Sequence, residues 1–244
     1  MKNTLSSRGV FGSKRWKTLN VVVLLVASFL WGAPAADSNN LLASTENIRL
    51  PPKNSLISNV TFVVFDTETT GFSPKTDRLV ELGAVKFRNG KVIESKTWLI
   101  NPKRSIPSYV QKVHGITPEM VANSPTFKDV YPEFETFIEG CVLFAHNANF
   151  DVSFMRAEMA RNGITPPRNL TIDSLKLFRN WYPDLKSYKL GDLAEYAQVT
   201  GGTFHRAEAD SLYVFLIFDK ELQKRNVKVK LDDIYTEANG PLRF

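Results

Sequence analysis

The segment that most limits what this chain can fold into is a β-branched, aromatic run that ends in acid. Val60-Thr61-Phe62-Val63-Val64-Phe65 has the composition of a buried strand, and it leads directly into Asp66-Thr67-Glu68-Thr69-Thr70-Gly71. Side chains alternate along a strand, so Asp66 and Glu68 leave the same face. Two carboxylates at the carboxyl end of a central strand sit where open α/β sheets bind ligands. Unpaired, they would repel. Hard divalent cations remove that conflict, and oxygen-only ligands suit Mg²⁺ or Mn²⁺. Taken alone, the segment has a second reading, in which Asp66 caps a turn and Glu68 is a solvated charge.

The rest of the pattern supplies partners for that strand. Leu79 to Phe87 and Val92 to Ile100 read as two more strands, with Asn89-Gly90 as the hairpin turn between them. Thr117-Pro118-Glu119 has the form of a helix start, with Thr as N-cap and Pro in the first helical position. Phe127, Val130, Phe134, Phe137 and Ile138 have helical spacing, and Pro132 inside it is expected to interrupt and restart the helix. Cys141 to Ala145 predicts a short fourth strand. A helix follows from about Phe150 to Arg161, stopped near Asn162-Gly163. Leu175–Trp181 and Leu190–Ala197 predict short helices, and Arg206–Lys224 a long one whose apolar middle, Leu212 to Phe218, must be buried. Strands first, then strands alternating with helices, predict a mixed α/β sheet with helices on both faces.

Two further polar segments carry acids. His146-Asn147-Ala148-Asn149-Phe150-Asp151 follows the fourth strand and places Asp151 at or inside the first turn of a helix, where an acid is stabilising without any other role. In His205-Arg206-Ala207-Glu208-Ala209-Asp210, five helical steps would turn His205 about 140° from Asp210. For the two to converge, His205 must precede the helix and Asp210 must lie within it. The competing reading is an Arg206–Asp210 ion pair at i, i+4. The three histidines, His114, His146 and His205, each fall beside an unusual polar segment. A group titrating near neutrality suits a general base, although His146 reads as structural.

These three segments, in this order, resemble the motifs of the DEDDh 3′–5′ exonucleases, the group that includes the ε subunit of bacterial DNA polymerase III and ribonuclease T. Val113-His114-Gly115-Ile116-Thr117 and Asp173-Ser174-Leu175 look like the same group, and the similarity covers about residues 58–220. The resemblance implies an α/β, ribonuclease H-like fold: a five-stranded mixed sheet flanked by helices, the fifth strand falling near Asn169 to Ile172. It implies that Asp66, Glu68, Asp151 and Asp210 are catalytic carboxylates holding two divalent metal ions, Mg²⁺ or Mn²⁺, with His205 as general base and Asp66 between the ions. It further implies hydrolysis at the 3′ ends of single-stranded DNA or RNA to 5′-mononucleotides, DNA being the expected substrate. Substrate-binding candidates are the backbone around Thr69, Thr70 and Gly71, together with His114, Asn147 and Phe150. Phe72 or Phe150 is a candidate for stacking on a base, and each is equally explained as core. The alternatives are an exoribonuclease or short-oligonucleotide hydrolase, and a secreted nucleic-acid-binding module without catalysis.

Composition enters at the ends of the chain. With 43% hydrophobic and 23% charged residues, disordered and collagen-like classes are excluded. The net charge of +6 suggests a nucleic-acid partner, but Lys2, Arg8, Lys14, Arg15 and Lys17 supply five of it, and residues 1–35 contain no acid. Lys14-Arg15-Trp16-Lys17, an apolar stretch from Val21 to Trp31, and Gly32-Ala33-Pro34-Ala35 have the plan of a signal peptide cleaved after Ala35. An uncleaved anchor is the alternative, since Leu19 to Ala36 approaches the roughly 18–20 residues that span a bilayer. Cleavage makes the domain secreted or periplasmic, retention leaves it membrane-anchored, and either places it outside the cytoplasm, apart from a proofreading subunit. Residues 36–57 have linker composition, 58–236 the exonuclease domain, and 237–244 a C-terminal tail. Lys220, Lys224, Arg225, Lys228 and Lys230 read as a solvated helix end before a strand-binding surface. The single cysteine, Cys141, excludes an intrachain disulfide and reads as a small buried hydrophobe.

Overall fold

The central strand β1 (Phe62–Thr69) is buried through Phe65 and opens only at its acidic end. A computed structural model describes residues 49–199, 205–225 and 228–244, so the expected leader and most of the expected linker lie outside the described residues. β1 pairs antiparallel with β2 (Leu79–Arg88), which pairs antiparallel with β3 (Lys91–Leu99). Asn89 (φ 49°) and Gly90 (φ 70°) join β2 to β3 in the left-handed conformation that a two-residue hairpin requires.

Three helices follow: α1 (Ser108–His114), α2 (Pro118–Val121) and α3 (Phe127–Ile138). α2 begins as the sequence predicts, with Thr117 as N-cap and Pro118 in the first turn. The expected break at Pro132 does not occur, and α3 runs through it. Pro132 is the sixth helical residue, so little more than one backbone bond is lost. That loss is outweighed by a capping box, in which the Asp129 carboxylate accepts from the Thr126 amide at 2.9 Å, and by a buried face of Phe127, Val130, Tyr131, Phe134, Phe137 and Ile138.

β4 (Val142–Ala145) runs parallel to β1, and β5 (Leu170–Asp173) parallel to β4, with α4 (Ala148–Asn162) as the crossover. Gly163, at φ 65°, ends α4. Then come α5 (Ser174–Trp181), α6 (Leu190–Tyr196), α7 (Ala207–Lys224), α8 (Leu231–Glu237) and β6 (Leu242–Arg243). The sheet order is β3-β2-β1-β4-β5-β6. Six strands therefore replace the five expected. The extra one comes from the segment expected as a tail, pairs antiparallel with Leu170 and Thr171, and is too short to carry a period. Phe244 then packs against Phe65, ring centroids 5.9 Å apart. The end of the expected linker is also tied down, since the amides of Leu231 and Asp232 donate to the carbonyls of Ser55 and Lys53, each at 2.9 Å.

The alternation of β1 sorts the core into two faces. Phe62 and Val64 pack with Phe144, Phe178, Phe215 and Phe218 beneath α5–α8. Val63 and Phe65 pack with Leu143, Phe134, Phe154 and Met155 beneath α3 and α4. Asp66 and Glu68 continue the first series, toward α7. Thr67 continues the second, toward α4. Cys141 is buried, as expected, and its thiol donates to the Glu139 carbonyl at 3.4 Å. Among the described residues no helix is long and apolar enough to cross a membrane.

Candidate active site

One carboxylate oxygen from each of Asp66, Glu68 and Asp210 lies within 4.8 Å of the other two. Asp210 is carried into reach by the first turns of α7, and the preceding His205 amide donates to its two oxygens at 3.3 and 3.1 Å. His205 precedes the helix at φ 67° and is exposed, so this pair meets the geometric condition set by its spacing. The i, i+4 ion pair is not what Arg206 makes. It turns instead to Glu81 of β2, Nη2 to Oε1 at 2.5 Å. Gly83 permits the approach: a Cβ there would lie 2.1 Å from the Glu208 nitrogen and 2.2 Å from the Ala207 carbonyl carbon.

Asp151, in the first turn of α4, reaches β1 from the other face. Its Oδ1 accepts from the Thr67 amide at 3.0 Å and the Thr67 hydroxyl at 2.7 Å. It stands outside the tight trio but next to it, because after burial its charge is the strongest influence raising the Asp66 pKa.

The electrostatics fit a cation site. Burial, then the charges of Asp151, Glu68 and Asp210, hold the Asp66 carboxyl well above its ordinary range. Burial, then Asp210 and Glu81, push Glu68 up to about 8. Burial raises Asp210 to about 6 against the bond from His205, and Asp151 to about 7 against the bonds from Thr67. Acids packed this closely cannot all ionise without positive charge among them. All the donors are hard oxygens, the set that Mg²⁺ or Mn²⁺ takes. The residues present fit such ions.

The other sequence candidates divide. The Thr69 hydroxyl donates to the Gly71 carbonyl at 2.5 Å, and the Thr70 amide to the Arg78 carbonyl at 2.9 Å, so the Thr70 amide is already used within the loop. Gly71 faces the Asp77 carboxylate, which a Cβ would meet at 2.4 Å; its missing side chain makes room for Asp77. His114 is buried beside Thr69. Its Nδ1 accepts from the Ile116 amide at 3.0 Å, its Nε2 has no hydrogen-bond partner among the described residues, and burial lowers its pKa. Asn147 is exposed and left-handed, φ 65°, at the start of α4. Phe150 is half-buried against Phe154, centroids 4.9 Å apart, whereas Phe72 is 74% exposed and stacks on Tyr109. His146 is structural, as its sequence setting suggests: Nδ1 meets the Ser174 hydroxyl at 3.0 Å and Nε2 the Tyr188 carbonyl at 2.8 Å. In the basic stretch Lys224 pairs with Glu221 and Arg225 with Glu237. Three residues of the site have no counterpart in the sequence reading: Thr67, Glu81 and Gly83. Glu81 carried a signal, an acid in the middle of the apolar run Leu79 to Phe87.

A family described as Exonuclease, of ribonuclease T type, matches residues 63–218. The chain is 44% identical over 163 residues to a PolC-type DNA polymerase III of Caldanaerobacter subterraneus, covering 67% of this chain but 12% of that protein. It is 39% identical over 162 residues to the DNA polymerase III subunit epsilon of Treponema pallidum, covering 66% of this chain and 75% of that one. The structure of exonuclease X in complex with 5′-overhanging duplex DNA aligns with a TM-score of 0.54 at 26% identity, over 71% of this chain and 98% of that chain.

Proposed function

The chain belongs to the DEDD-type, ribonuclease T-like exonuclease family, and from that premise we propose that it is a metal-dependent 3′–5′ exonuclease that shortens single-stranded DNA to 5′-mononucleotides. The observation that carries this reading is the convergence of Asp66, Glu68 and Asp210 within 4.8 Å. Asp151 completes the set of four acids, held in place by Thr67.

Asp66, Glu68, Asp151 and Asp210 would hold two divalent ions, Mg²⁺ or Mn²⁺. Bound there, the ions supply charge neutralisation at the scissile phosphate and a nucleophile at neutral pH. The chain's own groups do the rest. Asp66, whose carboxyl feels the charges of Asp151, Glu68 and Asp210 together, would be the carboxylate shared by both ions. His205, exposed and next to Asp210 through its backbone, would accept the proton of the attacking water. Its amide bond to Asp210 ties the base to a metal carboxylate. Phe72 offers an open ring for a terminal base, a contact that tolerates any sequence. Exonuclease X, solved with DNA, aligns over nearly its whole length, which supports a nucleic-acid end as substrate.

The location proposed is outside the cytoplasm, resting on the basic and apolar plan of residues 1–35. Intact mass of the exported protein tests it, with cleavage after Ala35 expected and Met1 retained if the segment is an anchor. The activity is tested by mononucleotide release from unlabelled DNA and matching RNA. Faster release from DNA is expected. Faster release from RNA would make the chain an exoribonuclease, and release from neither would return it to a binding module.

A further inference from the structure

One buried charge beside the site has no part in the chemistry above. Glu81 is 0% exposed and is the direct cross-strand partner of Glu68. Cross-strand partners project from one face of the sheet, and like charges placed opposite each other are unfavourable. Glu81 is fully satisfied: Arg206 donates through Nε at 3.1 and 3.2 Å and through Nη2 at 2.5 Å, and the Ala207 amide donates at 3.0 Å. Arg206 is not locked by packing, its side chain being 43% exposed. Its guanidinium also feels Glu68 and Glu208, and it pulls the Glu68 pKa down. Glu208 is engaged elsewhere, accepting from Ser95 at 2.6 Å and Thr97 at 2.7 Å. A guanidinium set free by Glu81 therefore has Glu68, whose charge it already feels, as an open carboxylate to turn to. Arginine stays charged at any working pH, so such a group cannot be neutralised and has to be held away.

We propose that Glu81 is a positioning residue that sequesters Arg206, keeping an internal cation off Glu68 so that Asp66, Glu68 and Asp210 remain open to metal. The proposal rests on the metal-site reading above. It assigns the Glu81–Arg206 pair a role beyond holding the start of α7, and the two roles predict different variants.

The test is Mn²⁺ binding by the full chain, followed by the electron paramagnetic resonance signal of the free ion, with far-UV circular dichroism to confirm folding. Glu81→Gln should weaken Mn²⁺ binding about tenfold, because the released arginine competes. Adding Arg206→Gln to it should restore binding to within about threefold of wild type. Arg206→Gln alone, which leaves the Ala207–Glu81 bond in place, should bind at least as tightly as wild type, and it decides the matter if Glu81→Gln does not fold. Weak binding in both the double variant and Arg206→Gln would overturn the proposal and make the pair a structural clamp only. Unchanged binding in Glu81→Gln would also overturn it. A wild-type chain that binds no Mn²⁺ would overturn the metal-site reading itself, a separate and visible failure.

Discussion

Thr67 and Asp151, 84 residues apart in the chain, are joined by two hydrogen bonds to a single carboxylate oxygen. One comes from the backbone of the central strand and the other from the threonine hydroxyl. Together they fix the fourth acid against the back of the strand that carries Asp66 and Glu68. Thr67→Val removes the hydroxyl and keeps the shape. It should cost about 1.5–3 kcal/mol in urea denaturation, the worth of a hydrogen bond to a charged group. The Asp151 pKa, about 7 with both bonds, should rise. At sub-saturating Mg²⁺ the acid limb of the pH–rate profile should therefore move to higher pH. An unmoved limb would remove Thr67 from the account.

The raised carboxyls make a statement about stability. Glu68, Asp151 and Asp210 titrate near 8, 7 and 6 in the folded chain, against roughly 4 when unfolded. Across that interval the folded state holds protons that the unfolded state has released, so the stability these three groups contribute is fully present below about pH 4 and is lost as pH rises toward 8. His114 and His146, lowered by burial, act in the opposite sense. Comparing urea midpoints in chelator and in Mg²⁺ at each pH cancels their contribution. The gap between the two should widen from pH 5 to pH 8, and a constant gap would contradict the cluster.

Gly83 sits where the backbone of α7 crosses β2, with no room for a methyl group. Gly83→Ala should destabilise the fold by about 1–3 kcal/mol through overpacking. It should also lower activity beyond that loss, because the shift falls on the turn that carries Asp210. A stable Gly83→Ala protein with full activity would show that the start of α7 has slack.

His205 is exposed and its side chain makes no hydrogen bond among the described residues, so His205→Gln should leave the urea midpoint and Mn²⁺ binding near wild type. Its kcat should fall about 10²- to 10⁴-fold, the range for a lost general base. Equal kcat in the two proteins would assign the proton to another group.

How far the sequence reaches is visible in particular residues. The Asp66–Glu68 pair is legible because a strand's period of two is local, and the His205–Asp210 pair because helix geometry forbids convergence unless a loop intervenes. Pro132 misleads because its cost is local while the buried face that offsets it is assembled from β1 and β4. β6 is invisible at two residues. The contacts that set the site's geometry span 84 residues in Thr67–Asp151 and 125 in Glu81–Arg206, and no periodicity encodes a partner at that distance. Glu81 is the instructive case. A buried acid in an apolar strand demands a partner, so its presence was readable and only the identity of Arg206 was not.

The central claim is that the carboxylate trio drives hydrolysis from the 3′ end with divalent metal. The most direct measurement is a time course on 5′-labelled single-stranded DNA, comparing the full chain with Asp66→Asn in Mg²⁺, in Mn²⁺ and in chelator. A ladder that shortens one nucleotide at a time from the 3′ end, abolished by chelator, is expected. Asp66→Asn should slow it by on the order of 10²–10³, while being more stable than wild type at pH 8 in chelator because a repelling charge is gone. Internal cleavage, a chelator-resistant ladder or an equally active Asp66→Asn protein would contradict the claim.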